Sequence, residues 1–225
     1  LTVGIVAIWY GGLDLEDLAV IPSKLPLAVG ITIGCWLLYV LAQLAGGLVF
    51  GNLTLHSTWT DPGVTATMGR AVGFFFGNAP FEELAFRGFL LVQLYLLLDG
   101  KWWQANPLGR TITAIAGSSL IFTLFHIPAF LWGGIGLQTL GSIFVYAVAL
   151  SLVYLRTQNI FLAMGFHALA NFSVPLLSIV ETGPFTGYWE FAWLIPGLII
   201  VLLWPRLPMP NDETSTSPRS STRPV

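Results

Sequence analysis

The chain has 225 residues, of which 55% are hydrophobic and 9% charged, with nine tryptophans and sixteen phenylalanines. A soluble domain of this length carries roughly 25% charged residues, so the composition excludes a soluble globular protein and predicts a polytopic membrane protein. The net charge is −2 with no basic cluster, which excludes a nucleic-acid partner. The single cysteine, Cys35, excludes an intrachain disulfide and reads as a small buried hydrophobe.

In chain order, Leu1–Trp9 is apolar but too short to span a bilayer. Opening on Leu1 rather than Met, it points to a fragment boundary with further helices upstream. No charged n-region precedes an apolar stretch with a cleavage site, so a secretory signal is not expected. A span takes about 20 apolar residues. After the acidic loop Asp14–Asp17 and the break Pro22–Pro26, Leu27–Phe50 is the first complete span. The polar stretch His56–Pro62 follows, and His56 reads as a solvated loop residue without a role.

Val64–Phe76 is apolar, Gly-rich and carries Arg70. It reads either as a short interfacial or re-entrant helix or as the first turns of the next span. Asn78 and Pro80 have the character of a helix start, which places the second span at Pro80–Leu98. Asp99–Arg110, with Lys101, Trp102 and Trp103, has the composition of an interfacial anchor. Thr111–Trp132, Thr139–Leu155, Ile160–Val180 and Tyr188–Trp204 complete six spans. The segment from Arg206 is rich in Ser, Thr and Pro and lacks apolar periodicity, which predicts disorder.

Charge placement tests this division. Alternating the loops puts Lys24, Lys101, Arg110, Arg156, Arg206, Arg219 and Arg223 on one side and Arg70 alone on the other. Seven basic residues against one is the asymmetry of the positive-inside rule. The expected architecture is an all-α transmembrane bundle of about six spans plus a partial N-terminal apolar segment. It comprises a helical domain over 1–205 and a disordered cytoplasmic tail over 206–225, in a plasma or inner membrane.

Charged groups at membrane depth are costly and face partners or water-filled cavities. Three of the predicted spans carry such polar groups: Glu82, Glu83 and Arg87 on the second, His126 on the third, His167 and Asn171 on the fifth. His167 and Asn171, four apart, share a helix face. One shared site over the core 77–172 is therefore expected. Glu83 and Arg87, at i and i+4, form a pair that orients and partly neutralises it. Glu82 lies about 100° further round the helix and points elsewhere, leaving a free carboxylate suited to a general base. Each group also has a plainer reading: a helix-holding ion pair, packing histidines, Asn171 as interhelical glue worth roughly 1 kcal/mol, and Phe122 as core.

EELAFR at Glu82–Arg87, FTLFH at Phe122–His126 and HALAN at His167–Asn171 resemble the three motifs of the CPBP intramembrane proteases. That family includes CAAX prenyl endopeptidases and bacteriocin-processing, immunity-type and lysostaphin-resistance-A-like proteins. The resemblance covers about 90 residues in the middle of the chain, and relatives usually carry more spans before the first motif. It implies a helical intramembrane endopeptidase in which Glu82 and His126 activate a water while His167 and Asn171 stabilise the oxyanion. Glu83, Arg87 and Phe122 are supporting members. It implies a peptide or protein substrate within membrane lipid, with a prenylated C-terminus as the family's best-known target.

Glu82, His126 and His167 would also make a His₂Glu set of the kind that binds catalytic Zn2+. The compact zinc-protease motif H-E-x-x-H is absent, and direct water activation without metal is the preferred reading. Serine and paired-aspartate intramembrane mechanisms lack their motifs in this sequence. Two other classes remain open: an ion- or proton-coupled transporter using Glu82, His126 and His167 as a relay, though no inverted repeat is evident, and a non-catalytic scaffold or immunity protein of the same fold.

Overall fold

A computed structural model describes residues 15–16, 18–51, 53–60, 63–100, 104–133, 135–172, 174, 176–177 and 194–203. The short apolar segment Leu1–Trp9, the anchor residues Lys101–Trp103 and the tail from Arg206 lie outside the described residues.

A 3-10 turn, Pro22–Lys24, leads into α1, Leu25–Phe50. Gly51 ends it in the left-handed conformation (φ 70°), with its N–H on the Gly47 carbonyl, a conformation only glycine adopts without strain. Residues 63–97 then form one continuous helical rod, α2. Gly63–Gly73 is regular, Phe74–Asn78 widens into π turns, Ala79–Glu83 is regular, Leu84–Leu91 is π again, and Val92–Leu97 closes it. Of the two readings of Val64–Phe76, the first turns of the second span are what the chain adopts. The expected helix start at Asn78–Pro80 is corrected. Proline lacks the N–H for a regular turn, and the π turns just before it absorb that loss as such adjustments do in membrane helices.

α3, Pro107–Phe125, is capped by Asn106, whose side-chain oxygen accepts from the Gly109 N–H at 3.0 Å. It breaks at His126 (φ −90°, ψ 0°) and resumes as α4, Ile127–Trp132. α5 is Leu137–Thr157 and α6 is Ile160–Asn171. α7, Leu194–Leu203, is the described part of the sixth predicted span and packs on α5. The fifth predicted span, Ile160–Val180, is corrected. Its helix has 12 residues, about 18 Å at roughly 1.5 Å per residue against a hydrocarbon core of about 30 Å. The sequence supplies the reason, since Pro175 biases Val174 away from helical backbone.

α6 is the centre of the bundle, in contact with α1, α2 and α5. Its buried residues include Leu162, Phe166 and Leu169, which pack with Ala28, Cys35 and Tyr39 of α1 and Leu150 and Val153 of α5. Cys35 is thus the buried hydrophobe expected. Beneath α6, Ile160 and Ala163 pack with Leu91, Ala114, Ile115 and Tyr154. Apolar side chains also face outward in number, among them Leu48, Val49, Phe76, Leu97 and Trp132. Pro22–Val49, Pro107–Trp132 and Leu137–Thr157 are long and apolar enough to cross a membrane. The chain is an all-α helical protein with the character of a transmembrane bundle.

The two ends of the bundle are tied separately. At one, the Lys24 ammonium donates to the Gln158 carbonyl and Asn159 Nδ2 to the Lys24 carbonyl. At the other, Leu55 and Leu177 form an antiparallel bridge, and Gln43 Oε1 accepts from the Leu176 and Leu177 N–H groups at 2.7 and 3.0 Å. His56 belongs to this second end. It is 8% exposed, with Nδ1 2.8 Å from Thr58 Oγ1. The solvated reading of His56 is corrected, because the turn folds it against its own backbone.

Candidate active site

Glu82 and Glu83 occupy the short regular stretch of α2 between its two π segments, and both are buried. π turns inside α-helices frequently occur at functional sites. The Arg87 guanidinium is 1% exposed, the largest fully buried side chain described. Its Nη1 donates to Glu83 Oε1 at 2.7 Å and its Nη2 to the Ala147 carbonyl of α5 at 3.1 Å. The expected i, i+4 pair is present. Because breaking such a buried pair strands a charge, it locks α2 against α5.

His167 of α6 joins what helical spacing alone would separate. Its Nδ1 lies 2.7 Å from the same Glu83 Oε1, and its Nε2 lies 3.6 Å from Glu82 Oε2. The expectation that Glu82 points away from the Glu83 cluster is corrected. Adjacent helical residues diverge by about 100°, but the two nitrogens of one imidazole also point in different directions, so a ring between the carboxylates meets both. A carboxylate only accepts, so Nδ1 carries a proton and Nε2 is the nitrogen turned to Glu82.

Asn78, whose residue type suits a helix cap, is instead part of this cluster. Its Nδ2 donates to Glu82 Oε1 at 2.6 Å, and its Oδ1 accepts from Asn171 Nδ2 at 2.8 Å. The signal in the sequence is the i, i+4 spacing of Asn78 and Glu82, a pair that meets on a helix surface. Asn78 and Asn171 are exposed, whereas Glu82 and His167 are 5% and 4% exposed. The cluster therefore has a carboxamide mouth and a charged floor.

His126 enters from the break in α3. Its backbone N–H bonds the Thr123 carbonyl, and its ring Nδ1 lies 2.8 Å from the Phe122 carbonyl. A carbonyl only accepts, so Nδ1 again holds the proton and Nε2 the lone pair. The backbone sits in the bridge region of φ/ψ space, where many active-site residues are found. Pro128, with no N–H to continue the helix, is the sequence feature that frees this turn.

Phe122 joins the groups. Its ring centroid is 4.7 Å from that of His126 and 5.9 Å from that of His167, and Arg87 Cζ lies 4.6 Å from it. Phe86 meets it edge-on at 4.9 Å. Tyr146, which nothing in the sequence singles out from the other apolar aromatics of its span, donates its hydroxyl to the Phe166 carbonyl at 2.7 Å, one residue before His167.

The residues do not fit a three-ligand metal centre. Among the described residues no three His, Cys, Asp or Glu side chains are placed to hold a metal ion. His126 and His167 each commit Nδ1 and keep Nε2, as metal ligands also do, so it is the placement of the side chains and not their hydrogen bonds that argues against a shared ion. Glu82 Oε2 and Glu83 Oε2 are both buried with no hydrogen-bond partner among the described residues, and Glu82 Oε2 is the one that lies 3.6 Å from His167 Nε2. Buried polar atoms are normally satisfied, so each of these two oxygens is an open acceptor among the described residues.

Residues 64–173, just under half of the chain, match the family model described as type II CAAX prenyl endopeptidase, Rce1-like. Glu82, Glu83, Arg87, Phe122, His126, His167 and Asn171 all fall within the matched segment. No curated protein and no solved structure matches the chain.

Proposed function

From the match of residues 64–173 to the Rce1-like family model, we propose that the protein is an intramembrane endopeptidase of the CAAX type in which Glu82 activates a water. The carrying observation is Glu82 Oε2: buried, without a described hydrogen-bond partner, and 3.6 Å from His167 Nε2. Glu82 takes a proton from the water as its oxygen adds to the scissile carbonyl carbon. The Nε2 lone pair of His126 assists as a second acceptor. Negative charge gathers on the former carbonyl oxygen, where His167 and the second N–H of Asn171 stabilise it. Collapse breaks the C–N bond, and the proton held by Glu82 passes to the leaving amine. A positioned base is worth on the order of 10² to 10⁴ in rate, and one oxyanion donor about 3 kcal/mol.

Glu83 and Arg87 act through His167, by fixing its ring, rather than on substrate. No step requires a metal. The substrate is a peptide or protein C-terminus presented at the membrane, with a prenylated cysteine as the family's type of target. The C-terminal end faces the cytoplasm, supported by the basic residues collected on that side.

Proteomic comparison of membranes holding the wild-type or the Glu82→Gln protein tests this. New C-termini are expected only with the wild type. Identical sets of C-termini, with both proteins equally abundant, would leave a non-catalytic scaffold as the better reading.

A further inference from the structure

We propose that Asn78 is a positioning residue that couples the oxyanion donor Asn171 to the base Glu82. This rests on the protease reading. The polarity of the chain Asn171–Asn78–Glu82 is forced from one end. A carboxylate presents only acceptors, so the end of the Asn78 carboxamide that meets Glu82 Oε1 at 2.6 Å is its NH₂. Its Oδ1 must then face Asn171, and the end of Asn171 that meets it at 2.8 Å is again NH₂. Asn171 would otherwise be free to turn its carboxamide over, since it is exposed and ends α6. A reversed amide would offer an oxygen, and hence repulsion, to the developing oxyanion.

The placement follows from α2. Asn78 is the last residue of the first π segment, and Glu82 sits one regular turn later. The bond between them runs along the helix, while the bond to Asn171 crosses to α6. One side chain thus fixes a group on each of two helices, α2 and α6. It also holds Glu82 Oε1, leaving Oε2 for the water.

Turnover of a prenylated CAAX-type peptide by the purified full chain in liposomes tests the role, with Asn78→Ala, Asn78→Leu, Asn171→Ala, the Asn78→Ala/Asn171→Ala double variant and Glu82→Gln compared. Both Asn78 variants are expected to lose kcat on the order of tenfold with KM within about threefold, because positioning acts on the transition state more than on binding. The double variant should fall little below the lower single variant, since coupled residues are not additive. Wild-type kcat for Asn78→Leu, which keeps the volume, or fully multiplicative losses in the double variant, would overturn the inference. Wild-type kcat for Glu82→Gln would instead overturn the protease reading on which it rests.

An infrared comparison needs no substrate. Asn78→Ala should displace a carboxylate stretching band, and that displacement should vanish when Glu82→Gln is added. An unshifted band overturns the inference even if the chosen peptide is not cleaved.

Discussion

Glu83 holds two neighbours with one oxygen. Oε1 accepts from Arg87 and from His167, both at 2.7 Å, and the side chain is fully buried. Removing it strands a guanidinium inside the bundle, which costs about 3–5 kcal/mol. Glu83→Ala is therefore expected to unfold at markedly lower denaturant or temperature than the wild type in detergent. Glu82→Gln should stay within about 1 kcal/mol of it, because an isosteric amide keeps the shape and no ion pair with arginine is lost. Equal stability of Glu83→Ala and wild type would contradict the structural role of the pair. The structural pair of Glu83 and Arg87 is legible in its i, i+4 spacing. The ring of His167 between the two carboxylates is not, because it arises from contact between α2 and α6 and no periodicity encodes it. Nor is Asn78, whose residue type suits a cap as well as a carboxylate partner.

Elements place these side chains through local departures from regular helix. The break at His126, the π turns flanking Glu82 and Glu83, and the short α6 each depart from the even spans that hydropathy predicts. Hydropathy measures length and apolarity, so it finds where helices lie; it is blind to turn type, which Pro80, Pro128 and Pro175 only hint at. The approach of α6 to α1 depends on a missing side chain. A Cβ on Gly165 would run into Thr32 Oγ1 and lie 3.1 Å from Thr32 Cβ. Gly165→Ala should push α6 off α1, two residues before His167, and cost about 1–3 kcal/mol as overpacking does. Adding Thr32→Ala should recover most of the lost stability and activity. A double variant no better than Gly165→Ala would show that the contact does not set the position of α6.

At the scale of the whole molecule, two of the basic residues that sort to one side in the sequence, Lys24 and Arg110, are tied into the bundle in space. Lys24 meets Gln158 and Asn159, and Arg110 stacks on Tyr95 with its Nε on the Tyr95 carbonyl at 2.7 Å. Leu55 and Leu177 close the opposite end. Six even spans are too simple a division, because α6 ends early and its chain folds back to Gln43 and Leu55. In sealed vesicles, a cysteine at the exposed Gln158 and one at the exposed Thr60 should react with an impermeant maleimide from opposite sides, with buried Cys35 silent. Labelling of both from the same side would contradict the topology.

On the proposed mechanism an acid, two imidazoles and a carboxamide act at one point of attack, and Glu82 is the group it depends on most. The most direct test is single-turnover cleavage by purified, reconstituted Glu82→Gln protein beside the wild type, on a substrate taken from the proteomic comparison. The expected result is a loss of rate on the order of 10² to 10⁴ with unfolding unchanged. Cleavage within about threefold of the wild type would remove Glu82 from the chemistry, and the water-activation mechanism would fall with it.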